Sequence, residues 1–454
     1  MAQPLPFNGF YTGTSKKNSA RTCLNYMPIR HDAGSLSEYT LETTTGISGP
    51  KQRTFSVSPG QPASEVITWG NKSSGLVGAK VLFVTSGRLL VASNGDNLET
   101  FSMGGGFLTY DARFAKGADL LLINTRSTSS SQSGWIYDGS ASAPVLVDYT
   151  TQIGLGGNEN ISDVVYFGDR YLLMSEAETS VTGHKGRVYY SAIGDPSSYS
   201  GIDFIRTLEQ NSKNTGMHVL NSRLYLFSDD GYSVWTVTPS VNLPFQQQKG
   251  SAGSIGMLDP MGKCEVGGVL YFIGREKARL GIYAMTGSAP QKISTEYVDF
   301  ILNKDSSKSS VRLFSFIDAE RSFVSINIGD ATICLDTASG EYHKRGSNGS
   351  RWSVIGSGYN EADNNKQVLI GGDITLDSGT TYFVQTGFSD RSIGTEFGAQ
   401  VAREMITSPF NSDGVTNNVR ELAFQTDIDY SSLVPTTLPD LSLSASFVRL
   451  SYLG

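Results

Sequence analysis

The stretch Leu224-Tyr225-Leu226-Phe227-Ser228-Asp229-Asp230-Gly231-Tyr232-Ser233-Val234-Trp235-Thr236-Val237 decides the fold. Two apolar, aromatic-rich runs, each too short for a helix, flank a polar turn, and that pattern reads as a β-hairpin. The turn supplies aspartates that bond their own backbone and a glycine free to reverse the chain. Working outward, the same grammar recurs at 81–84 with 89–91, 120–123 with 135–139, 164–166 with 171–174, 269–273 with 281–284, 323–328 with 331–335, and 368–370 with 382–384. The units start near residues 81, 120, 171, 224, 269, 323 and 368, so successive gaps run from 39 to 54 residues. That is the spacing of propeller blades. Several second strands also leave through a similar small polar corner, as in Tyr137-Asp138-Gly139-Ser140, Met285-Thr286-Gly287-Ser288 and Leu376-Asp377-Ser378-Gly379. Periodicity counts strands without showing how they close, so a two-sheet sandwich array is the alternative.

Composition agrees with many short strands. The chain has 454 residues, 50 of them Gly, and more acidic than basic side chains for a net charge of −7. An acidic chain has no overall basic footprint for gripping phosphate. No window approaches the roughly 18 uninterrupted apolar residues of a membrane span. We expect an all-β protein, a β-propeller of six or seven blades over residues 61–395. An N-terminal extended arm is expected over 1–60, and a C-terminal β segment of an accessory β-domain over 396–454. The chain stops in an apolar run at Leu453-Gly454, which reads as a polypeptide that continues.

Candidate chemistry is thin. Cys23, Cys264 and Cys334 stand far apart, fitting neither a disulfide framework nor a zinc site, and are expected as reduced, packed thiols. His31, His184, His218 and His343 fall in different units, none with a second ligand at metal-binding spacing. Gly104-Gly105-Gly106 and Gly154-Leu155-Gly156-Gly157 lack the Lys-Ser/Thr ending of a phosphate loop. Gly253-Ser254-Ile255-Gly256 has Ala252 where a hydrolase elbow needs its first glycine. Ser228, Asp230 and Trp235 match the Ser-x-Asp-x-Gly-x-Thr-Trp turn of sialidase propellers, but Tyr232 and Val234 stand where Gly and Thr belong, so a structural hairpin turn is expected. Tyr166, Tyr171, Tyr189, Tyr190, Tyr225, Tyr271 and Tyr283 sit at strand positions where cross-strand packing explains them. No catalytic, cofactor or metal residue is assigned, and no enzyme activity is expected.

Several segments together resemble the packaged-DNA stabilization and tail hub (nozzle) proteins of short-tailed bacteriophages. Asn18-Ser19-Ala20-Arg21-Thr22-Cys23-Leu24-Asn25-Tyr26-Met27-Pro28 is similar to the family's opening phrase. Asp169-Arg170-Tyr171, Arg187-Val188-Tyr189-Tyr190-Ser191, Asp195-Pro196-Ser197-Ser198-Tyr199, Gln248-Lys249-Gly250-Ser251-Ala252-Gly253 and Tyr271-Phe272-Ile273-Gly274 follow in the family's order. The likeness spans roughly residues 7–430 and departs in loop lengths, such as the Ser-rich 126–133. It implies a virion tail protein made in the bacterial host cytoplasm, a homohexameric ring below the portal and a head-to-tail adaptor protein. It also implies tail fibre, spike or needle proteins as partners, and packaged DNA passing through without specific binding. Phe10, Tyr11, Leu24, Asn25 and Tyr26 are the candidate assembly contacts, because apolar residues in an irregular arm need a partner surface. Packing of the arm onto its own propeller is the alternative for these residues. Two other readings stand beside this one: a carbohydrate-active or receptor-binding propeller, marked by an aromatic-lined pocket with two close carboxylates, and a bacterial surface propeller.

Overall fold

The computed structural model describes residues 20–407 less short interruptions, of which 56–64 and 177–185 are the longest. The chain divides into a unit of residues 1–410 and a unit of 411–454, and the second lies outside the described residues. The first unit is a β-propeller. Six blades follow one another in the sequence, the first from Ile67–Trp69, Lys80–Thr85, Arg88–Ser93 and Asn97–Ser102, each strand antiparallel to the next. The second blade runs through Ala112–Lys116, Leu121–Thr125, Ser133–Tyr137 and Val145–Asp148. The third comprises Ile161–Phe167, Arg170–Ser175, Arg187–Ala192 and Asp195–Arg206; the fourth, Asn214–Leu220, Arg223–Ser228, Tyr232–Val237 and Phe245–Gln247. In the fifth, Gly256–Met257 and Lys263–Val266 share Val269–Glu276 as partner, followed by Arg279–Met285 and Gln291–Lys292. The sixth is built from Arg312–Asp318, Arg321–Ile328, Ala331–Asp336 and Tyr342–Ser347.

A seventh sheet, Val354–Asn360, Lys366–Thr375 and Tyr382–Asp390, is completed by strands from the other end of the chain. Gly46–Ile47 and Lys51–Phe55 both pair with Tyr382–Asp390. This composite sheet lies between the sixth blade and the first. The Tyr359 amide donates to Thr68 Oγ1 at 2.8 Å on one side, and the Ile317 amide donates to Gln367 Oε1 at 2.8 Å on the other. Ile355, Val368 and Ile370 cover Val81, Phe83 and Leu90 of the first blade, while Val354 and Leu369 pack with Phe314 and Phe316 of the sixth.

The seven sequence units correspond to these sheets: each marks the second and third strands, except 164–166 with 171–174, which marks the first and second of the third blade. Leu121–Thr125 is buried along its whole length, with one face on the first blade through Leu121 and Ile123 and the other on the third through Leu122. A strand covered on both faces carries a continuous apolar run, not an alternation. Outer strands are different: in Val145–Asp148 only Val147 is buried.

Neighbouring blades are tied by aromatic side chains that donate to backbone carbonyls. Trp69 Nε1 reaches Gly117 O at 2.9 Å, Tyr171 OH reaches Leu120 O at 2.7 Å, Tyr225 OH reaches Gly287 O at 3.3 Å, and Tyr342 OH reaches Ile293 O at 3.2 Å. A buried phenol or indole needs such a partner. Position 117 must be glycine for this reason, since a Cβ there would stand 1.9 Å from the Tyr171 hydroxyl.

His343, in the sixth blade, is buried with its ring edge-on to Phe323 at 5.4 Å, and neither ring nitrogen has a hydrogen-bond partner. Burial pushes the imidazole down to about 4 against the opposing charge of Asp336. Above pH 6.5 the ring is neutral in both folded and unfolded chains, so folding carries no proton cost. As pH falls from 6.5 toward 4 only the unfolded chain takes up the proton, and stability drops by about 3 kcal/mol in total. Urea unfolding at pH 7 and pH 5 is expected to show a loss of about 2 kcal/mol attributable to this ring. His343→Phe should remove that part of the slope. An unchanged slope would show that the ring titrates normally.

Candidate functional site

Of the candidate assembly residues, Phe10 and Tyr11 lie outside the described residues. Residues 20–55, expected as an irregular arm, contain five strands, Ala20–Leu24, Tyr26–Ala33, Leu36–Thr43, Gly46–Ile47 and Lys51–Phe55. Ala20–Leu24 runs parallel to Tyr342–Ser347 of the sixth blade, with Leu24 opposite Lys344, and antiparallel to Glu404–Thr407. Leu24 is half-buried. Asn25 is fully buried in a left-handed conformation, φ 58°, which Asn tolerates better than most residues. Its Nδ2 donates to Gly346 O at 3.0 Å, its Oδ1 accepts from Gly346 N at 3.1 Å, and its own amide donates to Lys344 O at 2.8 Å. Tyr26 opens the hairpin formed by Tyr26–Ala33 and Leu36–Thr43. The pairings of Ala20–Leu24, Gly46–Ile47 and Lys51–Phe55 escaped sequence reading because their partners lie more than three hundred residues away, as do Asn25 and Gly346, which are 321 apart.

A second constellation, not singled out in the sequence, lies at the propeller axis, where the first strands of several blades converge. Arg113 Nη2 of the second blade stands 3.5 Å from Asp259 Oδ1 of the fifth. Lys263 of the fifth blade pairs with Asp163 of the third and also donates to Met217 O of the fourth at 2.5 Å; Asp163 Oδ2 accepts from Met217 N at 2.7 Å. His218 Nε2 lies 3.0 Å from Glu265 Oε2. That hydrogen bond, opposed by burial and aided by the charges of His218 and Lys116, holds the Glu265 carboxyl below its ordinary range. Arg275 meets Asp229 at 3.3 Å, and Lys213 pairs with Glu176. The one signal available beforehand was Ala112-Arg113-Phe114-Ala115, a cation inside a short apolar run.

Part of this constellation, Arg113, Glu176, Lys213, Asp229, Asp259 and Arg275, borders a cavity of about 290 Å³, and among the described residues its lining contains no aromatic side chain. Each lining carboxylate is bonded to a cation, an arrangement that offers polar binding but no evident nucleophile with an adjacent base. Among the described residues, no three His, Cys, Asp or Glu side chains come together as a metal site. The thiols of Cys264 and Cys334 are both raised by burial, which makes them poor nucleophiles. The tyrosines named above pack as expected: Tyr171, Tyr189 and Tyr225 are buried in blade cores, and Tyr166 packs tilted against Tyr171, with ring centroids 4.8 Å apart.

Residues 80–382 match the sequence profile of a family described as Bacteriophage P22 Gp10, beta-propeller. No curated protein matches the chain. Among solved structures, the virginiamycin B lyase of Staphylococcus aureus aligns at 9% identity and a TM-score of 0.44, over 75% of this chain and 99% of the lyase. The Raptor protein of Chaetomium thermophilum aligns at 11% identity and 0.42, over 76% of this chain and 29% of Raptor. The Nup133 β-propeller domain of Vanderwaltozyma polyspora aligns at 11% and 0.39, over 75% of this chain and all of that domain. Superpositions this loose carry no argument about function.

Proposed function

The chain belongs to the family of the bacteriophage P22 Gp10 β-propeller, a family of phage structural proteins, and from that premise we propose that it is a nozzle or hub component of a phage tail. Copies of the propeller would form a ring, six-fold in our reading, below the portal and its adaptor, retain packaged DNA, and carry fibres, spikes or a needle beneath. The family match over residues 80–382 is the observation that carries this reading.

The axis adds a constraint on where DNA would pass. Arg113 and Asp259 meet at 3.5 Å between the second and fifth blades, and Lys263 and Asp163 join the third and fifth, so a duplex has no way through a single propeller. The conduit would therefore lie between copies. An acidic chain suits such a wall, because a duplex bearing one negative charge per about 1.7 Å would stall on a basic one. The reading assigns no catalysis: among the described residues the carboxylates of the cavity are each held by a cation, and no aromatic side chain lines it as a platform for a sugar. Assembly contacts toward the adaptor would come from the N-terminal residues, with Phe10 and Tyr11 as first choices and the hairpin that starts at Tyr26 beside them.

Quantitative mass spectrometry of purified particles tests this proposal. The expected result is this chain in every particle at about one copy per two portal subunits. Absence from the particle would remove the tail reading and promote a carbohydrate-active propeller in its place.

A further inference from the structure

We propose that the axial cavity, where the second to fifth blades meet, binds an oxyanion of the phosphate class, with Arg113 as its buried anchor. The inference stands on the cavity alone and does not depend on the tail assignment. Arg113 is 2% exposed, yet among the described residues its guanidinium meets two acceptors, Asp259 Oδ1 through Nη2 and Ala112 O through Nη1, each at 3.5 Å, and its Nε has no partner. A guanidinium taken out of water is costly unless its donors are satisfied with good geometry. Thr215, 5% exposed, faces the same cavity with a buried hydroxyl that also has no partner. Arg275 lines the rim with one nitrogen on Asp229.

These donors approach from different blades, so they suit a ligand with acceptor oxygens pointing in several directions. A tetrahedral oxyanion offers four, and Arg is the side chain best matched to phosphate through paired N–H groups. Asp259 competes weakly for Arg113, because its Oδ1 already accepts the Met261 amide at 2.7 Å. Among the described residues three cations and three carboxylates line the cavity, so donor geometry rather than net charge selects the ligand. Affinity is therefore expected in the millimolar range. At about 290 Å³ the cavity has room for an organic group attached to the phosphate.

The test uses the full chain at fixed ionic strength, with sodium chloride replaced stepwise by inorganic phosphate. Calorimetry and thermal unfolding should show saturable binding, and the ³¹P line of phosphate should broaden. Arg113→Gln should weaken binding at least tenfold, and Thr215→Val several-fold. Because Arg113→Gln changes a buried residue, Thr215→Val and the ³¹P signal of the unaltered protein decide the matter if that variant fails to fold. A nucleoside monophosphate competing for the same site more tightly than phosphate would assign the remaining volume to an ester; equal binding would assign the free ion. No saturable response, an equal response to acetate, or undiminished binding in both variants would overturn the proposal.

Discussion

Replacing Asp318 by alanine is expected to destabilise the propeller by about 3–5 kcal/mol, the usual consequence of stranding one member of a buried ion pair. Asp318 and Arg345 pair inside the sixth blade, both essentially without exposure. The guanidinium is held between aromatic faces, 4.9 Å from the Phe316 ring centroid and 4.6 Å from that of Trp352. Burial pushes Arg345 down to about 10, with the charge of Glu396 opposing, so the group stays cationic at neutral pH. Without Asp318 that charge faces two rings and Glu396, which is already bonded to Trp352 Nε1 at 2.9 Å and Ser347 Oγ at 2.8 Å. Urea unfolding at pH 7 should show the midpoint falling with an unchanged m-value. The double variant Asp318→Leu, Arg345→Met should recover to within about 1 kcal/mol of the parent, since an apolar pair of similar volume replaces buried charge without loss. A loss below 1 kcal/mol in the single variant would mean that Arg345 finds another anion or water.

The second large effect is at Asn25. Substitution by alanine removes both side-chain bonds to Gly346, leaves a buried N–H and C=O without them, and keeps a left-handed backbone that alanine disfavours. The expected cost is about 4 kcal/mol, from two buried groups at 1–2 kcal/mol each and about 1 kcal/mol of backbone strain. Glycine at the same position should recover about 1 kcal/mol, because only the strain is relieved. If alanine and glycine behave alike, strain plays no part there. If both are neutral, the N-terminal strand is not held to the sixth blade by this residue.

How much of this was legible beforehand follows from burial. Leu121–Thr125 and Lys80–Thr85 announce themselves because both faces are covered, which leaves the continuous apolar runs Leu121-Leu122-Ile123 and Val81-Leu82-Phe83-Val84. Val145–Asp148, exposed at three of four positions, has no such signature, and a blade could be counted without its edge being seen. The seventh unit, near residue 368, was countable too, but nothing local says that its sheet takes strands from 46–55. Asn25 reads from sequence either as an assembly contact or as packed on its own propeller, and the structure buries it against the sixth blade. The axial charges were invisible singly, because Lys263 is 100 residues from Asp163 and Arg113 is 146 from Asp259. Only the closure of the ring brings them together.

The composite sheet has a consequence for the order of synthesis. A ribosome releases the first blade with Val81, Phe83 and Leu90 bare on one side, and their cover, Ile355, Val368 and Ile370, is made only after all six blades. Ala20–Leu24 likewise waits for Glu404–Thr407 before it has neighbours on both sides. Throughout elongation the nascent protein is an open arc with a sticky leading edge, the kind of intermediate that invites aggregation or chaperone capture. A message cut short before residue 354 would thus yield an arc whose two ends each display an apolar face, and such arcs are expected to adhere to one another.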